Sequence, residues 1–300
     1  MNLAYSTYDV FTDTRFAGNP LAVVYDADAL SDAQMQTIAR EFNLSETIFV
    51  RTPENAQHEA SVRIFTPTKE LPFAGHPTIG CSIALAERRH AQGGTNDILL
   101  VLEERVGLVR CGIKIGANGE ASFAEFTAPK LSAPAGPDPN VDAAAHALGI
   151  SSLDIGFDKH MPSLFSAGVP FAMAPVASPE VLSRARLTTT QTSKVFGATE
   201  VFVYTRAERD APFSFRARMF APEIGIVEDP ATGGAAAAFA GALARFEDLA
   251  DGWHTLPIRQ GEEMGRPSTI GLEIQLEASK LAGVRIAGKA VKLSEGLLYL

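Results

Sequence analysis

The 300-residue sequence is poor in cysteine, with only Cys81 and Cys111, and contains one tryptophan. Two thiols cannot build the disulfide framework on which small secreted proteins depend, so we expect a cytoplasmic protein. Neither cysteine has neighbours at metal-ligand spacing. The six histidines form no HxH or HxxxH pair. We therefore expect no metal site and no metal cofactor.

Basic charge and long apolar runs are also scarce. Lysine and arginine number 26 against 35 aspartates and glutamates, giving a net charge of −9. This balance argues against a nucleic-acid partner, which needs a basic face for phosphates. The most apolar run, residues 235–244, is far shorter than the roughly 20 residues that span a bilayer. The N-terminal residues show no basic segment followed by an apolar core, so we expect neither a signal peptide nor a membrane partner.

The sequence contains an internal duplication. Three pairs of similar segments recur in the same order, about 150 residues apart. They are 17–22 (AGNPLA) with 167–172 (AGVPFA), 46–50 (ETIFV) with 199–203 (TEVFV), and 63–80 (RIFTPTKELPFAGHPTIG) with 218–235 (RMFAPEIGIVEDPATGGA). The period is too long for a solenoid. It predicts two homologous domains related by a pseudo-two-fold axis, with a cleft between them.

Each predicted domain is an α+β unit of mixed or antiparallel strands around a helix. The N-terminal domain is expected over 1–130, joined by the last strand at about 288–300, and the C-terminal domain over 131–287. The Pro-rich stretch 132–140 marks the boundary. Helices are predicted at 32–41 with Ser31 as N-cap, 77–88 and 233–245. Strands are predicted at 21–25, 47–51, 61–65, 98–102, 200–204 and 213–219, with two more in the tail 288–300.

Two helix starts are candidate anion sites. One is introduced by FAGHPTIG (73–80), which carries His76, and the other by EDPATGGAAAA (228–238), which carries Glu228 and Asp229. Unpaired N–H groups and the helix dipole favour a carboxylate at such positions. Alternatively, Glu228 and Asp229 only offset the helix dipole and His76 is an ordinary loop residue. Neither alternative accounts for the resemblance between the two turns.

Glu46 is the third candidate. It precedes the apolar run Ile48–Val50, and partial burial there would raise the pKa of its carboxyl group toward the range useful for general acid–base catalysis. Its counterpart in the second half is predicted to be Thr199, which would leave one carboxylate in a two-fold site. Otherwise it is a solvated glutamate at a strand edge.

At these residues the chain resembles the PhzF-like phenazine-biosynthesis family. The resemblance rests on the segments 9–24 (DVFTDTRFAGNPLAVV), 43–50 (NLSETIFV), 63–80 (RIFTPTKELPFAGHPTIG), 228–238 (EDPATGGAAAA) and 260–268 (QGEEMGRPS). It implies a diaminopimelate-epimerase-like fold, in which a barrel of strands wraps a central helix in each of two domains. It also implies a homodimer and no cofactor. Epimerases of this fold carry a cysteine at each helix head, where this chain has Ala74 and Pro230.

The resemblance also implies roles for individual residues. Glu46 of the Ser45-Glu46-Thr47 motif would be the catalytic acid–base, with His76 and Asp229 as further catalytic groups. Substrate-binding positions would be Asn19, Ser45, Gly75, Gly233 and Gly234. The family often has serine at the last of these positions, so a hydroxyl contact to the substrate is absent here.

The sequence therefore predicts a cofactor-independent isomerase that moves a proton on a small carboxylate-bearing substrate. One alternative is an amino-acid racemase or epimerase that uses Glu46 with a second acid. A second is a hydrolase or lyase that acts through Asp229, and a third is an inactive member that binds a metabolite or a protein.

Overall fold

The computed structural model describes residues 2–90, 97–117 and 120–300, which form two compact units. Unit 1 comprises Met1–Pro129 with Ala287–Leu300, and unit 2 comprises Lys130–Ile286. Within the described ranges, no helix is both long and apolar enough to cross a membrane.

The described part of unit 1 contains two α-helices and the strands of the N-terminal half. Its elements are β1 (Asn2–Val10), β2 (Asn19–Val24), α1 (Asp32–Phe42), β3 (Glu46–Arg51), β4 (Ala60–Phe65), β5 (Glu70–Leu71), α2 (Gly75–Arg89), β6 (Asp97–Glu104), β7 (Gly107–Lys114) and β8 (Ser122–Thr127), with a 3₁₀ turn at Ala27–Ala29.

Unit 2 contains the remaining elements. They are β9 (Ala133–Pro134), α3 (Val141–Leu148), β10 (Ser163–Ser166), β11 (Pro170–Pro175), α4 (Pro179–Arg184), α5 (Thr192–Phe196), β12 (Glu200–Arg206), β13 (Phe215–Ala221), β14 (Ile226–Asp229), α6 (Gly233–Phe246), β15 (Gly252–Thr255), β16 (Ile258–Gln260) and β17 (Ser268–Glu277), with 3₁₀ turns at Ser152–Asp154, Pro222–Ile224 and Glu262–Met264. The last strand, β18 (Lys280–Tyr299), begins in unit 2 and ends in unit 1.

Eight strands close a barrel around α2. Successive pairings run β18–β1–β2–β3–β4–β6–β7–β8 and return to β18. Most of α2 is buried, and small residues allow this packing. A Cβ added to Gly80 would lie 2.5 Å from a methyl group of Leu21, so the helix could not approach β2 this closely with a larger residue.

The central helix of unit 2 is α6, which is buried along most of its length between β10, β11 and β17. The expected α+β class with a wrapped central helix is thus confirmed. Predicted helices and strands fall on α1, α2, α6, β2–β4, β6, β12 and β13, and Ser31 caps α1 as expected. Helices α3, α4 and α5 were not predicted.

Two sequence predictions about elements are wrong. The tail does not form two strands, because β18 pairs with β1 from Ala290 to Tyr299 across one irregularity. Gly296, which suggests a turn, instead lies under the ring of Tyr5, where a Cβ would be 2.8 Å from ring atoms. In addition, α2 begins at Gly75 rather than at residue 77, because Pro77 fits inside a first turn whose N–H groups need no helical partner.

The duplicated arginines make equivalent forks, half-buried in unit 1 and buried in unit 2. Arg63 on β4 donates to both oxygens of Glu70, at 2.6 Å each. Arg218 on β13 donates to both oxygens of Glu228, at 2.8 and 2.9 Å, and to backbone carbonyls of residues 182, 183 and 185. Glu228 therefore anchors strand β14 to Arg218 of β13, and it does not belong to the first turn of α6.

Substituting Arg218 by Met should destabilise the protein strongly. The side chain of Arg218 is only 2% exposed, and its loss leaves Glu228 and three carbonyls without their donor. We expect a loss of about 3–5 kcal/mol in the free energy of unfolding, measured by urea denaturation. The matched control is Arg184→Met, because Arg184 pairs with Asp154 while 56% exposed and should contribute within about 1 kcal/mol. Equal effects of the two substitutions would contradict a structural role for the buried fork.

Candidate active site

Glu46 is the first residue of β3 and is 8% exposed. Strand β3 is buried because it lies between β2 and β4 in the barrel wall. The side chain reaches the head of α2, where one carboxylate oxygen lies 3.4 Å from Nδ1 of His76. The interpretation of Glu46 as a solvated strand-edge residue is therefore wrong, and Glu46 and His76 are brought together as the sequence suggested.

His76 lies in the first turn of α2 and is 3% exposed. Burial lowers the pKa of its imidazole to about 3, so the ring is neutral near neutral pH and its contact with Glu46 is not an ion pair. The side-chain amide nitrogen of Asn19 lies 3.3 Å from Nδ1. If that amide donates, Nδ1 is the acceptor and Nε2 carries the proton. Nε2 is buried and has no hydrogen-bond partner within the described residues.

Asn19 is placed by a tight turn before β2. Gly18 has φ +66°, and a Cβ there would lie 2.4 Å from the carbonyl oxygen of Val10. Only glycine fits this conformation without strain. The buried carboxylate of Asp9 accepts a hydrogen bond of 2.7 Å from the backbone N–H of Phe16 and so holds the preceding loop. The predicted binding residue Asn19 thus joins Glu46 and His76, and Asp9 is a supporting residue that the sequence did not suggest.

The register of the strands corrects the expected counterpart of Glu46. On β2 and β3, Leu21 is paired with Glu46, whereas on β11 and β12 the duplicated Phe171 is paired with Glu200. The antiparallel neighbours agree, because Phe49 is paired with Arg63 and Val203 with Arg218. The counterpart is therefore Glu200 and not Thr199. Glu200 is 6% exposed, and its carboxylate accepts a hydrogen bond from the Thr199 hydroxyl.

Asp229 ends β14 in unit 2 and is 4% exposed. Its carboxylate accepts a hydrogen bond from the hydroxyl of Thr232, the N-cap residue of α6. Gln260 of β16 braces both residues. Its amide nitrogen donates to the Asp229 carbonyl at 2.8 Å and to Thr232 Oγ1 at 3.1 Å, and its amide oxygen accepts from the Thr232 N–H at 3.2 Å. Gln260 opens the QGEEMGRPS motif, but the sequence gave no reason to single it out.

The predicted glycines lie at the two helix heads. Gly75 and Gly233 are the first residues of α2 and α6, and both are buried. Gly234 follows in the first turn of α6, where a Cβ would lie 3.6 Å from the Phe171 ring, an ordinary contact. A serine would therefore fit, and the absence of its hydroxyl is not imposed by packing. Ser45 lies half-buried just before β3.

No cysteine lies at a helix head. The N-cap residues of the two central helices are Ala74 and Thr232, so the second head lies two residues after the expected Pro230. Both cysteines are buried in unit 1, Cys81 within α2 and Cys111 within β7, and burial raises the pKa of both thiols. Among the residues that the structure describes, no group of three or more histidine, cysteine, aspartate and glutamate side chains could hold a metal ion.

A further buried acid near α2 escaped the sequence analysis. Glu104 is the last residue of β6, is 8% exposed, and contacts the hydroxyl of Thr78 in the first turn of α2. Burial raises the pKa of Glu104 to about 8. A signal was available, because Glu104 follows Leu100 and Leu102 at the two-residue spacing of an inward-facing strand side.

Comparison with known proteins places the chain among relatives of the same length. The sequence profile described as phenazine biosynthesis-like protein matches residues 8–296. An uncharacterized isomerase of Mesorhizobium japonicum is 46% identical over 99% of this chain and 98% of the relative. The trans-2,3-dihydro-3-hydroxyanthranilate isomerase of Pseudomonas fluorescens is 36% identical over 99% of both chains.

A solved structure shares the fold over the whole chain. The PhzF-family phenazine biosynthesis protein of Bacillus anthracis is 25% identical, with a TM-score of 0.88 and complete coverage of both chains. With the sequence matches, this likeness confirms the resemblance that the motifs suggested. The chain belongs to the phenazine biosynthesis-like (PhzF) family and is an enzyme of the isomerase class.

Proposed function

We propose that this isomerase moves a proton between two carbon atoms of a small cyclic or enamine-like carboxylate, with Glu46 as the single acid–base group. The observation that carries the proposal is the buried cluster of Glu46, His76 and Asn19 at the head of α2. The Glu46 carboxylate takes a proton from one carbon, the electron pair shifts along the conjugated system, and the same carboxyl group returns the proton to another carbon. The step is neither an oxidation nor a reduction, so the proposal includes no cofactor.

His76 has a specific part in this proposal. As a neutral ring whose Nδ1 accepts from Asn19, it would present the Nε2 proton to a polar substrate atom. A neutral donor binds a substrate oxygen or nitrogen without competing for the transferred proton. The first N–H groups of α2 favour a carboxylate on the substrate.

In unit 2, we propose that Asp229 and the start of α6 contact substrate polar groups. Asp229 is held by Thr232 and by the Gln260 brace, so its carboxylate has a fixed orientation. The relative from Pseudomonas fluorescens is named for trans-2,3-dihydro-3-hydroxyanthranilate, an amino- and hydroxyl-bearing cyclic carboxylate. A substrate of this class is the proposal for the present chain, and the homodimer expected from the sequence is proposed with it.

One observation favours a second function. A racemase or epimerase uses one group to remove a proton and another to deliver one, and Glu200 is a buried carboxyl group at the position that repeats Glu46. The duplication therefore leaves two carboxylates, Glu46 and Glu200, and not one. The second candidate is therefore a two-base epimerase that acts on an amino acid.

Substitution of Glu46 by Gln should reduce isomerisation by about 10²–10⁴-fold, because an amide cannot accept and return a proton. The assay is turnover of trans-2,3-dihydro-3-hydroxyanthranilate together with incorporation of solvent deuterium. Glu41→Gln, an exposed change near the end of α1, is the matched control and should leave both rates near those of the wild type. Deuterium incorporation that survives in Glu46→Gln would exclude Glu46 as the acid–base group.

Substitution of Glu200 by Gln separates the two candidate functions. A single-glutamate proton shift should survive this change with a loss of less than about tenfold, because the Gln keeps the shape of the side chain. A two-base epimerase should lose about 10²–10⁴-fold, as in Glu46→Gln. Turnover and deuterium uptake are measured on the cyclic substrate and on a panel of amino acids. Inversion of an amino acid without any double-bond shift would establish the second candidate and reject the first.

The neutrality of His76 predicts a pH dependence of stability. In the unfolded chain the imidazole takes up a proton near pH 6.5, whereas in the folded protein it does so only near pH 3. On acidification the unfolded state therefore takes up this proton first. The free energy of unfolding falls by about 1.4 kcal/mol for each pH unit below 6.5. Relative to His76→Asn, the wild type should lose stability between pH 6.5 and 4 and show no relative change from pH 7 to 9.

Urea denaturation at each pH provides the measurement. The control is His146→Asn, since His146 is exposed on α3 and its replacement should leave the pH dependence of the wild type in place. A wild-type curve parallel to that of His76→Asn across the whole acidic range would show that His76 is not held neutral.

A further inference from the structure

The strongest unexplained feature is the hydrogen-bond geometry of Thr78 in the first turn of α2. Its hydroxyl oxygen lies 2.8 Å from the carbonyl oxygen of Ala74 and 2.8 Å from a carboxyl oxygen of Glu104. Each distance is that of an O–H···O hydrogen bond. A hydroxyl group has one proton and can donate to only one of these two oxygens.

The second contact needs a proton from elsewhere. The Ala74 carbonyl is an acceptor only, so a full hydrogen bond at the second contact requires a proton on the carboxyl group of Glu104. A protonated Glu104 donates to Thr78, and Thr78 then donates to Ala74. Each of the two contacts then has one donor and one acceptor. Otherwise two oxygen atoms would lie 2.8 Å apart with no proton between them.

Unit 2 contains a related brace at the same strand position. Strand β6 runs parallel to β4 and pairs Glu103 with Ser61, two residues before Arg63. Strand β16 runs parallel to β13 and pairs Arg259 with Arg216, two residues before Arg218. Because Arg63 and Arg218 are the duplicated arginines, Glu103 and Arg259 hold equivalent positions. The next residue on β6 is Glu104, and the next residue on β16 is Gln260. Gln260 donates from its neutral amide to the hydroxyl of Thr232, at the head of α6. In each unit, a residue at the same position of the equivalent strand contacts a threonine hydroxyl at the head of the central helix.

The other helices that carry caps are held differently. The side chains of Ser31, Asn140 and Ser178 cap α1, α3 and α4 by accepting a backbone N–H. The N-cap residue Ala74 of α2 has no side-chain acceptor. The brace from β6 is thus one side-chain contact that ties the first turn of α2 to the barrel wall, and the contacts of His76 with Asn19 and Glu46 lie in the same turn.

We propose that Glu104 is a neutral carboxylic acid that donates a hydrogen bond to Thr78 and thereby positions the turn carrying His76. Glu104 is a positioning residue, since it acts through Thr78 and Ala74. Its protonation state stands independently of the proposed function, whereas its effect on turnover rests on that function.

The surroundings of Glu104 are consistent with a neutral group. Cys81 of α2 and Cys111 of β7 face it from inside the barrel, and burial keeps both thiols protonated. On its other side, Glu104 lines an open groove of about 570 Å³. The charged and titratable side chains that line this groove with it are Arg51, Glu54, His58, Arg63, Glu103 and Arg105.

Within the groove, most of these charges are already matched. Arg63 pairs with Asp32 and Glu70, Arg105 pairs with Glu70, and His58 contacts Glu103 at 2.6 Å. No arginine of the groove forms an ion pair with Glu104 among the described residues. Without such a cation, desolvation dominates, and the pKa of Glu104 rises from its usual 4.5 to about 8.

The direction of the pH effect follows from this shift. The folded protein holds the Glu104 proton up to about pH 8, whereas the unfolded chain releases it near pH 4.5. The stability that the proton confers is complete below pH 4.5 and is lost as the pH rises through 8. Above that pH, the carboxylate can no longer donate to Thr78, and the first turn of α2 loses its brace.

The test compares the wild type with Glu104→Gln, which keeps a neutral donor, and Glu104→Leu, which has similar size and no donor. Infrared difference spectra should show a protonated-carboxyl C=O band that is present at pH 6, disappears with a midpoint near pH 8, and is absent in Glu104→Gln. The neighbouring Glu103→Gln is the control and should retain the band. A band retained in Glu104→Gln, or a wild type without the band at pH 6, would overturn the assignment.

Hydrogen exchange of backbone amides tests the positioning role without a substrate. Protection of residues 75–79, expressed relative to residues 233–240 of α6, should fall in the wild type above pH 8 and stay constant in Glu104→Gln. The reference helix is braced by Gln260, which does not titrate. Glu104→Leu should lose this protection at every pH. If Glu104→Leu does not fold, the comparison of the wild type with Glu104→Gln still tests the positioning role. Equal pH dependence of this protection in the two proteins would reject that role.

Turnover provides the functional arm. On the substrate that Glu46 processes, kcat of the wild type should decline above pH 8, and this alkaline decline should be absent in Glu104→Gln. If no substrate is turned over, the proposed function fails while the spectra and exchange data still test Glu104. Turnover with the same alkaline decline in both proteins would show that Glu104 does not position the catalytic turn.

Discussion

A helix that starts buried against strands cannot rely on water to satisfy its first backbone groups. Both central helices meet this constraint without a capping side chain on the N-cap residue. Instead, a residue at the end of a neighbouring strand contacts a threonine at the helix head, Glu104 with Thr78 and Gln260 with Thr232. These braces fix the turns that carry the small residues and His76. The candidate site residues therefore depend on polar contacts that neighbouring strands provide.

Burial determines which groups near α2 can exchange a proton. His76 is held neutral and is too weak a base near neutral pH to take a proton from carbon. Glu104 is occupied by its contact with Thr78. The thiols of Cys81 and Cys111 are buried in the barrel interior. Of the acidic and basic side chains described around this helix head, Glu46 is the one that we propose to shuttle a proton.

The sequence was informative where local chemistry repeats. The duplicated arginines predicted two related domains, and each arginine forms the same fork with a glutamate. Helix-start signals placed α1, α2 and α6, because a capping serine and a Gly- or Pro-rich turn are local signatures. The motif residues Glu46, His76 and Asn19 were also named correctly as neighbours. Their catalytic roles stay predictions.

Non-local pairing explains what the sequence did not reveal. Matching ETIFV with TEVFV by its letters put Thr199 opposite Glu46, but strand register is set by hydrogen-bonded neighbours on both sides. A shift of one residue changes a threonine into the buried carboxylate of Glu200. The same limitation hid Glu104, because the run Glu103-Glu104-Arg105 suggests a solvated turn until β6 is paired with β4.

The equivalence of Glu104 and Gln260 also bears on how the two halves diverged. A glutamine donor keeps its proton at any physiological pH, whereas a carboxylic acid donates only while it is protonated. The brace of α6 is therefore independent of pH, and that of α2 is not. Because the Glu46 and His76 cluster lies at the head of α2, the titratable brace belongs to the unit in which the proposed proton transfer takes place. A neutral amide can supply the same kind of donor, as Gln260 does in unit 2, so the acid in unit 1 adds a sensitivity to pH that the brace itself does not require.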